Sequence, residues 1–254
     1  MMSVGWLALL AAPVIGSFLT VLIVRLPRGE GVVLGRSRCR ACAQPLAPLD
    51  LIPLLGWLLC QGRCRYCGVP IGPLYPAVEL AAIGVAGWAL LVVPEEMVWP
   101  TALLGWVLLA LAVIDWRAMV LPDVLTLPLA AAGLAVAMLN DPALAWAHLL
   151  GAGLGWLSFR LIGALYARLR GREGLGRGDA KLMAAAGAWV SWQGLPTVIL
   201  VAALAALIAV GLLAAAGKRI ERATAIPFGP FLALGLWLTW LYGPLLLFPA
   251  AALR

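Results

Sequence analysis

Residues Val4–Val24 read VGWLALLAAPVIGSFLTVLIV, an uncharged apolar run of 21 residues closed by Arg25. A helix needs about 20 such residues to cross the hydrocarbon of a bilayer, so this run predicts a transmembrane span. No positive residue precedes it and no small-residue cleavage site follows it. A secretory leader carries its charges in front, so the run is expected to stay as an uncleaved span leading from outside to inside. The rest of the chain repeats the pattern. Of its 254 residues, 64% are hydrophobic and 11% charged, where a soluble domain is about half apolar and a quarter charged. That excludes a soluble enzyme, a secreted disulfide miniprotein and a disordered chain. Further spans are expected at 74–93, 98–115, 122–139, 143–167, 180–193, 196–216 and 227–249. About eight spans predict an all-α polytopic membrane protein, since helices satisfy their own backbone in lipid.

The basic residues orient this bundle. Arg25, Arg28, Arg36, Arg38, Arg40, Arg63, Arg65, Arg117, Arg168, Arg170, Arg172, Arg177, Lys181, Lys218, Arg219 and Arg222 all fall in or beside odd-numbered loops. The even loops carry Glu95, Glu96, Asp141 and His148 but no Lys or Arg. Only Arg160, inside the fifth span, and Arg254 stand apart. Positive residues collect on the cytoplasmic side, so the odd loops are expected inside and both termini outside. The formal charge of +7 is then a topology marker, and no nucleic-acid partner is expected. Three segments follow: a first span (1–25), a cytoplasmic loop (26–73) and a membrane core (74–254).

The loop holds all five cysteines. Cys39 and Cys42 form one Cys-x-x-Cys pair, and Cys64 and Cys67 another. Two such knuckles in one short loop have the spacing of a four-thiolate structural zinc site. A cytoplasmic loop rarely carries structural disulfides, and one this short needs a metal in place of a core. Arg38, Arg40, Arg63 and Arg65 flank the ligands and could offset the thiolate charge. Cys60 breaks the spacing and reads as a packed residue.

Acidic residues near hydrocarbon are costly, which makes each one a functional candidate. Asp115 closes the third span and Asp179 opens the sixth, both at the cytoplasmic edge. Unit charges about 4 Å apart at an effective dielectric near 20 repel by roughly 4 kcal/mol. Two carboxylates that meet there would therefore share one proton, the arrangement of an aspartic peptidase. Gly176 and Gly178 would let the backbone approach a substrate strand. Simpler roles stand beside this one: Asp115 paired with Arg117, and Asp179 capping its helix or paired with Lys181. Asp123 reads as a helix cap, and Glu79 as a site residue or an interfacial one. Transport through Asp115, Asp179 and Arg160 is the alternative function, and a zinc-stabilised assembly scaffold is the third. His148 stands alone, without the His-Glu-x-x-His of a metallopeptidase.

Together these motifs resemble the bifunctional prepilin leader peptidases of type IV pili and type II secretion. The resemblance runs from Gly16-Ser17-Phe18-Leu19-Thr20-Val21 and Arg25-Leu26-Pro27 through both cysteine pairs, Asp50, Ile52-Pro53 and Trp57. It continues through Tyr75-Pro76, Glu79, Asp115 and Leu121-Pro122-Asp123 to Gly176-Arg177-Gly178-Asp179-Ala180-Lys181-Leu182 and Pro227-Phe228-Gly229-Pro230. Thr20, Arg40 and Gly56 depart from the family's usual asparagine, proline and serine. The resemblance implies an inner-membrane aspartic endopeptidase using Asp115 and Asp179, with Gly176, Gly178, Lys181 and Asp123 in support. Its substrates would be prepilins or pseudopilins, cut on the cytoplasmic side after the glycine before their hydrophobic helix. It also implies N-methylation of the new terminus by S-adenosylmethionine. No nucleotide-binding glycine motif locates that cofactor; Glu79 and Tyr75 are its candidates.

Overall fold

The computed structural model describes residues 4–32, 37–171, 175–217 and 226–244, and among them there is no β-strand. Eight α-helices follow in order: α1 Val4–Arg25, α2 Leu55–Leu59, α3 Leu74–Val92, α4 Val98–Ala118, α5 Asp123–Asn140, α6 Ala145–Arg170, α7 Arg177–Ala215 and α8 Gly229–Tyr242. Six of them (α1, α3, α4, α5, α6, α7) are long and apolar enough to cross a membrane, and α8 is a shorter apolar helix of 14 residues. The protein is an all-helical, multi-pass membrane protein, as its composition requires. Arg36, Arg172, Lys218, Arg219, Arg222 and Arg254 lie outside the described residues.

The two expected spans 180–193 and 196–216 emerge as the single element α7. At about 1.5 Å per residue, its 39 residues would run about 58 Å, nearly twice the hydrocarbon thickness of roughly 30 Å. The element is two helices joined at Ser191, where φ 56° and ψ −179° break the helical path. The junction lies five residues before Pro196, the residue that marks the break in the sequence.

The chain divides into two compact units, Met1–Ala110 and Leu111–Arg254. In the first, α1 packs on α3 through small residues. Ala8, Ala12 and Gly16 of α1 and Ala82, Ala86 and Ala89 of α3 are buried at helical spacing. A Cβ on Gly16 would lie 2.7 Å from the Glu79 Cα, so the backbones approach closely, as small residues allow in lipid. Trp106 Nε1 donates to the Ala82 carbonyl at 3.0 Å, which satisfies a buried indole.

In the second unit α7 is central, packed against α5, α6 and α8. Gly151 and Gly155 of α6 form a Gly-x-x-x-Gly face against α7. A Cβ on Gly187 would sit 2.1 Å from Gly151, and one on Gly155 would sit 2.3 Å from the Met183 carbonyl oxygen. No larger side chain fits either crossing. Trp189 Nε1 donates to the Leu129 carbonyl of α5 at 2.8 Å, and its ring meets Trp240 of α8 edge-on at 5.0 Å. His148 is a structural residue: its Nδ1 lies 3.0 Å from the Ala188 carbonyl oxygen, three residues before the break at Ser191.

Candidate functional site

In the first unit the cysteine loop is built from a repeat. Arg38–Pro45 reads RCRACAQP and Arg63–Pro70 reads RCRYCGVP. Each closes on itself through the same bonds: Arg38 bridges to Pro45 as Arg63 does to Pro70. Ala43 N–H donates to the Cys39 carbonyl as Gly68 N–H does to Cys64. The equivalent residues Ala43 and Gly68 both take positive φ, 57° and 70°, a conformation glycine adopts without penalty and alanine does not. Sequence reasoning found the two cysteine pairs but not this longer repeat, although its signal is legible in the eight-residue match.

The two knuckles bring Cys39, Cys42, Cys64 and Cys67 together, with their sulfurs all within 4.8 Å of one another. The Cys39 and Cys67 sulfurs are 3.7 Å apart. A tetrahedral ion with metal–sulfur bonds of about 2.3 Å spaces its ligands by roughly 3.8 Å, so the four thiols fit a metal ion. Their titration is uneven. Backbone N–H groups of Cys42 and Ala41 lower the Cys39 thiol to about 6. The Val69 N–H pulls Cys67 down too, but desolvation and the three neighbouring thiols push it up to about 12. Four thiolates held together therefore need a cation among them.

Cys60 lies outside this group. Its sulfur is 3.5 Å from Asp50 Oδ1, and Asp50 also pairs with Arg65 at 2.7 Å. Arg65, expected to offset the thiolates, is thus engaged by Asp50, whose carboxylate raises the affinity of the guanidinium for its proton. Glu79 is buried on α3, and its Oε2 accepts from the Leu54 N–H at 2.7 Å. It also bonds the Ser17 side chain. This carboxylate ties the loop to α1 and α3 at Leu54, a residue held at φ 61°. Tyr75 sits one turn before Glu79, half-buried.

In the second unit the two aspartates are buried at helix ends. Asp115 lies in the last turn of α4 and is 6% exposed; Asp179 is the third residue of α7 and is 8% exposed. The Gly229 N–H, at the start of α8, donates to Asp115 Oδ2 at 2.9 Å. The Gly176 N–H donates to Asp179 Oδ2 at 3.2 Å, closing the first turn of α7. Helix N-termini favour anions, so both carboxylates are held by positive backbone ends. The two are electrostatic neighbours. A Cβ on Gly178 would fall 2.8 Å from the Leu121 side chain, and one on Gly229 would fall 2.7 Å from Asp115 Oδ2. The glycines of both motifs therefore admit a close approach that any other residue would block.

Two expectations are corrected. Asp123 opens α5 but makes no capping bond; it pairs with Lys181 of α7. Lys181 is therefore engaged by Asp123 rather than by Asp179, because the first turns of α5 and α7 lie together. Among the described residues the ion pairs are Arg65–Asp50 and Lys181–Asp123, so Asp115 is not paired with Arg117. Gly229 was quoted in the sequence only as part of a motif, and its bond to Asp115 spans 114 positions.

The bacterial peptidase A24 N-terminal domain matches residues 10–93, and the type IV leader peptidase family matches residues 102–211. A prepilin leader peptidase/N-methyltransferase of Aeromonas hydrophila is 39% identical, over 93% of this chain and 90% of that protein. Proteins of the same name from Burkholderia pseudomallei and Pseudomonas aeruginosa are 38% and 35% identical, over 86% and 90% of this chain. No solved structure matches.

Proposed function

Because this chain belongs to the type IV leader peptidase family, we propose that it cleaves prepilin or pseudopilin leaders at the cytoplasmic membrane face and methylates the new N-terminus. The observation that carries the cleavage is the pair Asp115 and Asp179, two buried carboxylates at helix ends whose charges interact. Two such groups at contact distance hold one proton between them. The ionised carboxylate takes a proton from water as the water oxygen attacks the scissile carbonyl. The protonated carboxyl group gives its proton to the carbonyl oxygen, and the tetrahedral carbon then expels the amine, which leaves protonated. The Gly229 and Gly176 amides each use one oxygen, Oδ2, of their carboxylate and fix its orientation for the other to work.

The substrate class suits the setting. A prepilin carries a basic leader before a hydrophobic helix, so it can enter laterally from the bilayer. The placement of both aspartates at helix ends favours this over transport, which needs ionisable groups through the middle of the membrane. The four cysteines hold zinc as a structural ion, with no ligand position left open. The basic loops lie in the cytoplasm of a bacterial inner-membrane protein, and both termini lie outside.

Gly229→Ala tests the geometry. The added methyl group would drive the Asp115 carboxylate off its amide, and cleavage of a prepilin in membranes is expected to fall roughly tenfold to a hundredfold. KM should change little, because the displaced group acts on the reaction. Methyl transfer is tested separately, by mass spectrometry of the processed pilin. With S-adenosylmethionine present, the new N-terminus is expected to carry one methyl group. An unmodified amine would leave a peptidase alone.

A further inference from the structure

Arg160 is unexplained by the peptidase reading. It lies within the apolar helix α6 and is exposed, with its guanidinium 6.0 Å from the ring centroid of Trp156. Among the described residues no carboxylate pairs with it. A cation in that position is costly, and one aromatic face compensates it only in part. The packing of α6 on α7 sets its depth. Gly151 faces Gly187, Gly155 faces Met183 and Gly163 faces Leu175. In that register Arg160 stands level with Gly178, one residue from Asp179. α6 has 26 residues, about 39 Å against a hydrocarbon of roughly 30 Å. If Arg168 and Arg170 occupy the overhang, Arg160 lies about 6 Å inside the boundary, within reach of the headgroups.

A cavity of about 190 Å³ opens at this point, between α6 and the start of α7. Phe159, Gly163 and Ala164 wall it, and Gly176 closes it with two cations, Arg160 and Arg177. Beside it, Leu157 and Leu161 stand exposed on α6. An apolar wall open to lipid with two guanidinium groups at headgroup depth is complementary to a phosphate ester carrying acyl chains. It is not complementary to a basic leader peptide.

We infer that this cavity binds the phosphate of an anionic phospholipid between Arg160 and Arg177, with the acyl chains along the exposed face of α6. The bound headgroup would brace Gly176, and through it the turn that holds Asp179. The lipid also neutralises positive charge at the boundary where a basic leader must arrive.

The test uses the full chain, purified free of lipid in neutral detergent and titrated with short-chain phosphatidylglycerol, short-chain phosphatidylcholine or inorganic phosphate. Binding is read by native mass spectrometry and by the shift in melting temperature, neither of which depends on peptidase activity. Phosphatidylglycerol is expected to bind and to raise the melting temperature, and the other two are not. Arg160→Gln should weaken phosphatidylglycerol by at least about fivefold, and Arg160→Lys by less. Ala164→Leu fills the cavity while keeping both arginines, and should weaken the lipid as well. If both R160Q and A164L bind phosphatidylglycerol like the parent, the site is elsewhere and the inference fails. If inorganic phosphate binds as tightly as the lipid, the cavity is a free-anion site. If a prepilin displaces the lipid and its KM rises in R160Q without any lipid present, the cavity belongs to the substrate.

Discussion

Asp179→Asn lowers the rate of prepilin cleavage by a factor of about 10²–10⁴, and Asp115→Asn does the same, with the protein still inserted in the membrane. The expectation follows from the way both residues are held. Each carboxylate accepts a backbone N–H at a helix start through Oδ2, and an asparagine side chain can make that bond through its own oxygen. The fold is therefore kept while the shared proton is lost. Because the pair acts as one unit, the double variant should be no slower than the slower single one, as for other groups that work together. Lys181→Met is the contrast. It breaks an ion pair with Asp123 in which the Asp123 side chain is 56% exposed, worth about 0.2–1 kcal/mol, and cleavage should stay within a few-fold of the parent. The measurement is cleavage of a co-expressed prepilin, followed by gel mobility and by the N-terminal mass of the product. Full cleavage by either asparagine variant would remove that residue from the dyad.

Cys64→Ser is expected to empty the metal site and open the loop. Cys64 is the buried member of the four, 4% exposed, and its own knuckle depends on the Cys64–Val69 and Gly68–Cys64 backbone bonds. Structural zinc sites have apparent binding free energies of about 10–16 kcal/mol, far above what a loop without a core can supply. Metal content should fall from one zinc per chain to none, and Cys39, Cys42 and Cys67 should become freely alkylated. Cys60→Ser is the control. Its sulfur lies against Asp50 and Arg65 and outside the metal group, so the zinc should stay. Zinc retained at full stoichiometry in Cys64→Ser would rule out the four-thiolate site.

Much of the architecture could be read from local pattern. The run from Val4 ends as a helix at Arg25, one residue past its predicted end. The span expected at 74–93 is the helix Leu74–Val92. Both are set by apolar length, which a bilayer enforces directly. The interruption of α7 was placed at residues 194–195, beside Pro196, yet the chain breaks at Ser191. There Gly151 of α6 presses within 2.6 Å of where a Cβ would meet the backbone, a contact that no local propensity encodes. Asp123 was misread for a similar reason. It stands where a cap stands, but Lys181 lies across from it, and a cation within reach outweighs a backbone bond available to any helix start.

What the sequence determined by itself was therefore what depends on near neighbours along the chain. It determined a membrane helical protein, the sidedness of its charge and two cysteine pairs spaced for a metal. It also singled out two aspartates at helix ends. Burial in lipid and metal geometry act on spacing, and spacing is written in the chain. Only the tertiary structure decided which groups hold those residues in place: Gly229 on Asp115, Leu54 on Glu79, Asp123 on Lys181 and Asp50 on Arg65. A hydrogen bond or ion pair forms with whichever partner the fold brings within about 3 Å, and for these residues that partner comes from another segment of the chain.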